Sequence, residues 1–91
     1  MTTLAVRHSV ADYTTWKSAF DEHGSVRRSH GAIGHRVLRD GNDILVLLEF
    51  PDDAAAEAFQ SDPSLRTAMQ NAGVVAAPDI SLRTEAEQVA Y

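Results

Sequence analysis

The chain has 91 residues, of which 44% are hydrophobic, and no apolar run approaches the roughly 20 residues that span a bilayer. It contains no cysteine, which excludes disulfide bridges, thiolate metal sites and cysteine nucleophiles. Thirteen acidic residues against eight lysines and arginines give a net charge of −5, which argues against nucleic acid as a partner. We therefore expect a single small domain over residues 1–91 that binds neither nucleic acid nor a membrane.

The first segment alternates apolar and polar residues over Thr2 to Val10, which predicts a strand. Asp12 is suited to cap a helix, because its carboxylate can accept hydrogen bonds from the amides of the first turn. Apolar residues recur at helical spacing after it and predict a helix over residues 12–29. Gly31 can adopt the positive φ at which helices end. The predicted buried stripe of this helix consists of Tyr13, Trp16, Phe20 and Gly24.

A concentrated turn signal, Asp40-Gly41-Asn42-Asp43, separates two strand-like segments at residues 32–39 and 44–50. It predicts an antiparallel hairpin. A second helix is expected over 54–60, and Asp62-Pro63 predicts its restart up to Gly73. A last strand is expected over 74–83, interrupted or bulged near Pro78, before a polar tail.

This order of elements predicts an α+β fold of the ferredoxin-like β-α-β-β-α-β kind, with a four-stranded antiparallel sheet and helices on one face. The third strand is apolar on both faces, since Leu45 and Leu47 alternate with Ile44, Val46 and Leu48. The simplest cover for the second face is another copy of the same sheet, so we expect a homodimer. Glu49 shares that face, and we expect it to form an interfacial ion pair with Arg7, Arg36 or Arg83.

All four histidines lie in the first 35 residues. His23 and Arg27 fall within or beside the buried arc of the first helix, with His30 at its margin near the helix end. Burying such groups without partners is costly, which favours a cavity between this helix and the sheet. His8 and His35 alternate with apolar residues on strand faces that are expected to be buried. A simpler interpretation exists for each set of residues. Those on the helix can be partly exposed residues at the rim of the core, and the strand histidines can be hydrogen-bonded residues within the core.

The histidine spacings of 15, 7 and 5 residues match no metal-ligand signature, and no metal site is expected. Signatures of serine nucleophiles and phosphate loops are also absent. The chain lacks the charged start, apolar run and cleavage site of a signal peptide, so a cytoplasmic location is expected.

Three stretches carry a resemblance to a known superfamily: residues 10–21 with Tyr13, Trp16 and Phe20, the strand end at 48–50, and residues 59–74 with Phe59, Pro63, Leu65 and Met69. Together with the order of elements, they resemble the dimeric α+β-barrel superfamily over about residues 3 to 83. Within it, the chain is similar to small bacterial proteins of the antibiotic-biosynthesis-monooxygenase-like group. The superfamily includes cofactor-free oxygenases, polyketide cyclases and haem-degrading enzymes.

The resemblance implies that a hydrophobic, aromatic or polyketide-like molecule binds between the first helix and the sheet, without a bound cofactor. A neutral histidine would abstract a proton, with Arg27 or a second histidine stabilising the oxyanion. The candidate catalytic residues are His23, His35, His8 and Arg27, and the candidate ligand-binding residues are Tyr13, Trp16, Phe20, Phe50, Phe59 and Met69. The alternative for the last five is a purely structural role in the core. Oxygenases of the group carry an asparagine on the first strand, which this chain lacks. The alternatives are a non-catalytic dimeric binding or stress-response module and, third, haem binding and degradation.

Overall fold

Four strands and four short helices make up the structure, a computed structural model that describes residues 1–91. The strands are β1 (Thr2–Ser9), β2 (Gly34–Asp40), β3 (Asp43–Phe50) and β4 (Asp79–Thr84). The helices are α1 (Tyr13–Glu22), α2 (Gly24–Ser29), α3 (Asp53–Gln60) and α4 (Pro63–Asn71). None of these helices has the length and apolar character that crossing a bilayer requires.

The four strands form one antiparallel sheet in the order β2-β3-β1-β4. This is the predicted ferredoxin-like arrangement, in which the first and third strands are central and the second and fourth lie at the edges. The predicted hairpin is present between β2 and β3, and Gly41 takes a positive φ of 58° in its turn. Such a backbone conformation is costly for residues other than glycine.

The two faces of the sheet differ in what covers them. Residues with even numbers on β1 and β3 face the helices and are buried, as the strand alternation predicted. The core consists of Leu4, Val6, Val10, Trp16, Ile44, Val46, Leu48, Phe50, Ala56, Phe59 and Ala72. The opposite face keeps Ala5, Leu45 and Leu47 half-buried, with no helix over them. The chain thus has one covered and one uncovered sheet face.

The first helix is not continuous over 12–29 as predicted. It ends at Glu22, and a second short helix begins at Gly24 after His23, whose ψ is 0° rather than helical. Glycine is a poor residue for a helix interior, and Gly24 directly follows the break at His23. Asp12 caps α1 as predicted, by accepting a hydrogen bond from the Thr15 amide.

Two strand predictions also need correction. The last strand covers only Asp79–Thr84, and the earlier part of the predicted segment contributes a single bridge between Val10 and Val74. Pro78 precedes β4 and has no amide hydrogen for a strand ladder, which explains the later start. The second strand begins at Gly34 rather than at residue 32.

Candidate functional site

A cavity of about 50 Å³ lies between α1, α4 and the covered face of the sheet. Its lining is largely apolar, with His8, His23 and Arg27 as the three residues that carry polar or charged side chains. The apolar lining residues include Trp16, Phe20, Phe59, Leu65 and Met69. The cavity lies between the first helix and the sheet, the region in which a ligand cavity was expected from the sequence.

His8 reaches the cavity from β1, where strand alternation points it toward the helices beside Val6. It is only 7% exposed, and neither ring nitrogen has a hydrogen-bond partner. Its ring lies 5.6 Å from that of Trp16, centre to centre. Burial lowers the pKa of His8, and the charge of Asp43 opposes this only in part. His8 is therefore a neutral imidazole at pH 7 with both nitrogens free.

His23 approaches the same cavity from the junction between α1 and α2. Its Nε2 lies 3.1 Å from the Ser64 hydroxyl at the start of α4, so one ring nitrogen is already occupied. Burial is the main cause that lowers its pKa, and the Arg27 charge adds to the shift. His23 is thus neutral as well, but less free than His8 to exchange a proton with a ligand.

Arg27 is the third polar group, and it is 6% exposed. Its guanidinium stacks on the Phe20 ring, with Cζ 3.6 Å from the ring centre, and it forms no ion pair with a carboxylate. Burial lowers its pKa, although an arginine remains charged at pH 7 after such a shift. A buried cation without a counter-ion thus borders the cavity.

His35 lies outside the cavity. It faces the helix side of the sheet opposite Leu48, as predicted, but it is exposed because β2 is an edge strand that the helices do not cover. Its ring contacts the edge of Phe20 at 5.0 Å between centres. It borders a separate groove of about 230 Å³, which shares Arg27 and Leu48 with the cavity. Burial is again the first cause that lowers its pKa, followed by Arg27 and Lys17.

His30 lies at the end of α2, as predicted, and outside the cavity lining. Its Nε2 donates to the Asp62 carboxylate at 2.8 Å. This hydrogen bond, with that from the Ser64 amide, lowers the pKa of Asp62 to about 2. The His30–Asp62 pair joins the end of α2 to the start of α4. Elsewhere too, no group of three or more histidine or carboxylate side chains is arranged to hold a metal ion.

Four of the six predicted ligand-binding residues line the cavity: Trp16, Phe20, Phe59 and Met69. The other two do not. Tyr13 lies beside Trp16 and under the Arg39 guanidinium, and Phe50 is fully buried against Phe59. The prediction missed the contribution of Leu65 and Ala68, whose helical spacing marked them only as the apolar face of α4.

No protein-family model matches this sequence, and no curated protein matches it. Solved structures do match in fold. SnoaB, a cofactor-independent oxygenase from Streptomyces nogalater, is 17% identical with a TM-score of 0.79, over 97% of this chain and 95% of that one. The ActVA-Orf6 monooxygenase of Streptomyces coelicolor, solved with nanaomycin D, is 16% identical with a TM-score of 0.73, over 99% and 91%.

NE2512 from Nitrosomonas europaea, described as a protein of unknown function, is 17% identical with a TM-score of 0.76, over 99% of this chain and 93% of that one. The class defined by these neighbours is that of antibiotic-biosynthesis-monooxygenase-like proteins, and the chain has their α+β fold, as its sequence predicted. At these identities the likeness concerns the fold, since one fold supports many activities.

Proposed function

We propose that the protein binds a hydrophobic, aromatic or polyketide-like molecule between α1 and the sheet and acts on it as a cofactor-independent monooxygenase or cyclase. The observation that carries this proposal is His8, a buried neutral imidazole with two unpartnered nitrogens at an apolar cavity. A polyketide ligand in one structural neighbour and cofactor-independent oxygenation in another support the choice of chemistry.

His8 supplies the base in this proposal. Its unprotonated nitrogen takes a proton from a phenol, leaving a phenolate, or from an acidic carbon, leaving a carbanion or enolate, and becomes an imidazolium. The guanidinium of Arg27 stabilises the negative oxygen, because a fixed charge acts strongly where water is excluded. The oxygenases that the chain resembles carry an asparagine on the first strand, whereas here β1 presents Val6 and His8 to the cavity. The proposal therefore assigns proton removal to a histidine.

Two fates of the carbanion are consistent with this site. In a monooxygenase the carbanion transfers electrons to dioxygen, a CH2 group becomes a carbonyl with one oxygen atom, and the other atom leaves as water. In a cyclase it attacks a carbonyl carbon of the same molecule, and the resulting alkoxide takes the proton back from the His8 imidazolium. Both routes use His8 in the same first step, so a single variant tests them together.

Ligand entry requires a movement of Phe20. Pockets for drug-sized ligands measure about 300–1,000 Å³, well above the cavity of about 50 Å³. Phe20 lines the cavity, and its ring contacts Arg27 and His35, which border the adjacent groove. A rotation of this half-buried ring would join the cavity to the groove of about 230 Å³, and the two together approach the lower end of that range.

The proposal is tested with an anthrone such as dithranol, following oxygen uptake and quinone absorbance, and with a linear polyketide mimic for ring closure. His8→Leu keeps the side-chain volume but removes the base, and we expect it to reduce turnover by about 100-fold or more while anthrone still binds. His30→Gln is the matched control, because His30 lies outside the cavity and a glutamine amide can still donate a hydrogen bond to Asp62. It should retain turnover.

Several outcomes would contradict the assignment. If His8→Leu kept full turnover and His23→Leu or His35→Leu lost it, the general base would have to be assigned to that other histidine. Binding of anthrone without oxygen uptake or cyclisation by the wild-type protein would favour the non-catalytic binding module. A Soret band on titration with haem would favour the haem alternative instead.

We also propose that residues 1–91 form one domain that pairs with a second copy through the uncovered sheet face. Leu45, Leu47 and Leu38 lie on that face, and Leu38 is 41% exposed. Glu49 lies there too and accepts hydrogen bonds from the Thr3 hydroxyl. Of the three arginines expected to pair with Glu49 across the interface, Arg7 already pairs with Asp43 of its own chain at 3.0 Å. Arg36 and Arg83 remain as partners across the proposed interface.

A further inference from the structure

We propose that the groove beside Phe20 binds the carboxylate or phosphate group of the ligand, through Arg27 and Arg28, so that the ligand is an aromatic acid anion. This inference rests on the proposed function, since the aromatic part of the ligand would occupy the cavity described above. The groove is about 230 Å³, and its lining includes Arg27, Arg28, His35, Ala32, Ile33 and Leu48.

The two arginine side chains converge at Gly24. A methyl group at Gly24 would lie 3.2 Å from a terminal nitrogen of Arg28 and 3.3 Å from one of Arg27, so both guanidinium groups pack over the missing side chain. Two like charges held side by side repel each other. Neither arginine forms an ion pair with a carboxylate of the protein. An oxyanion between them would remove this repulsion and accept charge-assisted hydrogen bonds.

Arg27 needs a counter-ion more than Arg28 does, because Arg27 is only 6% exposed and has no side-chain hydrogen bond to another residue. A buried charge without a counter-ion is expensive, and stacking on Phe20 compensates only in part. The groove supplies no acidic residue for it. The nearest acid that affects Arg27, Asp21, is held by Lys17 at 2.6 Å. An anion from outside the chain would supply the missing counter-ion.

The groove is positively charged, whereas the whole protein is negatively charged. The chain carries a net charge of −5, yet Arg27 and Arg28 are the charged residues of this groove, with a neutral His35 beside them. The opposite side of the groove is apolar, with Ala32, Ile33 and Leu48. Since Arg27 and Leu48 also line the cavity, an anionic group in the groove and a flat apolar ring in the cavity would belong to one molecule.

Three naphthalene probes separate charge from shape: 2-naphthoate, 2-naphthyl phosphate and the neutral 2-naphthamide, each titrated by calorimetry into the intact protein. We expect one or both anions to bind about tenfold more tightly than the amide, and this preference to shrink as salt is added. Arg27→Gln should abolish the preference, and Arg28→Gln, at an exposed position, should reduce it without endangering the fold. Arg66→Gln on α4 removes the same charge elsewhere and should change nothing.

The outcomes separate the two proposals. Equal binding of anions and amide by the wild-type protein would overturn the anion site and leave the proposed function standing. Binding of none of the three probes would overturn both. A preference that survives in Arg27→Gln and Arg28→Gln, or that falls equally in Arg66→Gln, would also overturn the anion site. Tighter binding of naphthoate or of the phosphate supports the site and shows which oxyanion fits it.

Discussion

His8 occupies a position on β1 where strand alternation otherwise places Leu4 and Val6 in the core. Leaving a buried polar group without a hydrogen-bond partner costs about 1–3 kcal/mol, and His8 has two such atoms. The ring of Trp16 packs beside His8, but neither it nor the apolar cavity lining supplies a hydrogen bond to the His8 nitrogens. A histidine that weakens the fold is consistent with a role in binding or proton transfer.

His8→Leu is therefore expected to stabilise the protein by about 1 kcal/mol, because a leucine of similar volume removes the unsatisfied nitrogens and keeps the packing. The free energy of unfolding is measured by urea titration at pH 7. His30→Leu is the matched control with the opposite sign, since it breaks the hydrogen bond to Asp62. A His8→Leu protein that is less stable than the wild type would show that the imidazole contributes to folding through contacts we have not assigned.

Sequence reasoning predicted which way some of these side chains point, but not what they touch. The inward orientation of His8 follows from alternation along β1, and that of Arg27 from the spacing of residues around a helix. The contact between His23 and Ser64 joins residues 41 positions apart, which no local pattern encodes. His35 was placed on the correct face, but its exposure depends on which strand lies at the sheet edge.

The helices are joined by one charged contact, between His30 at the end of α2 and Asp62, the N-cap of α4. Asp62 also accepts a hydrogen bond from the Ser64 amide, so the same carboxylate starts α4 and anchors it to α2. His23 and Ser64 make a second connection beside it. These two contacts hold α4 against the first pair of helices and so help to define the cavity.

The contribution of the His30–Asp62 contact to stability is tested with Asp62→Asn, by comparing its free energy of unfolding with that of the wild type at two pH values. The pKa of Asp62 is lowered to about 2, chiefly by the hydrogen bond from His30, so the ionised carboxylate stabilises the fold above its usual pKa of 3.8. That contribution is lost as pH falls from about 4 toward 2. Urea titrations at pH 4.5 and 2.5 should show the variant less stable at the higher pH, and the difference from wild type should be clearly smaller at the lower pH. Asparagine still caps a helix, so the effect isolates the charge.

Asp52→Asn provides the comparison, since Asp52 caps α3 through the Ala55 amide without a histidine partner. A stability difference for Asp62→Asn that does not change between the two pH values, or that matches Asp52→Asn, would contradict a role for the His30 hydrogen bond.

At the level of elements, local signals predicted the order and the hairpin, because Asp40-Gly41-Asn42-Asp43 forms its turn from its own backbone preferences. The predicted capping by Asp12 is also a local effect. The break at His23 was missed because helical spacing continues through it. The extent of β4 depends on pairing with β1, which is not a local property.

The whole molecule leaves an apolar surface that its own helices cannot cover. Leu45 and Leu47 on β3 and Leu38 on β2 are neighbours on the uncovered face. Charged residues surround them, with the Arg7–Asp43 pair at one end and Glu49 at the other. An apolar centre with a charged rim is typical of protein interfaces, and a chain of 91 residues gains core volume by pairing.

Leu47→Lys is expected to convert a dimer into a monomer, because it would bury an unpaired ammonium at the centre of the proposed interface, at a cost of several kcal/mol. Light scattering at micromolar concentration should give twice the 9.9 kDa chain mass for the wild type and a single chain mass for the variant. Ala58→Lys adds the same charge on the exposed side of α3 and should remain dimeric. A wild-type mass near that of one chain would contradict the dimer, and Leu45 and Leu47 would then need another partner to shield them from water.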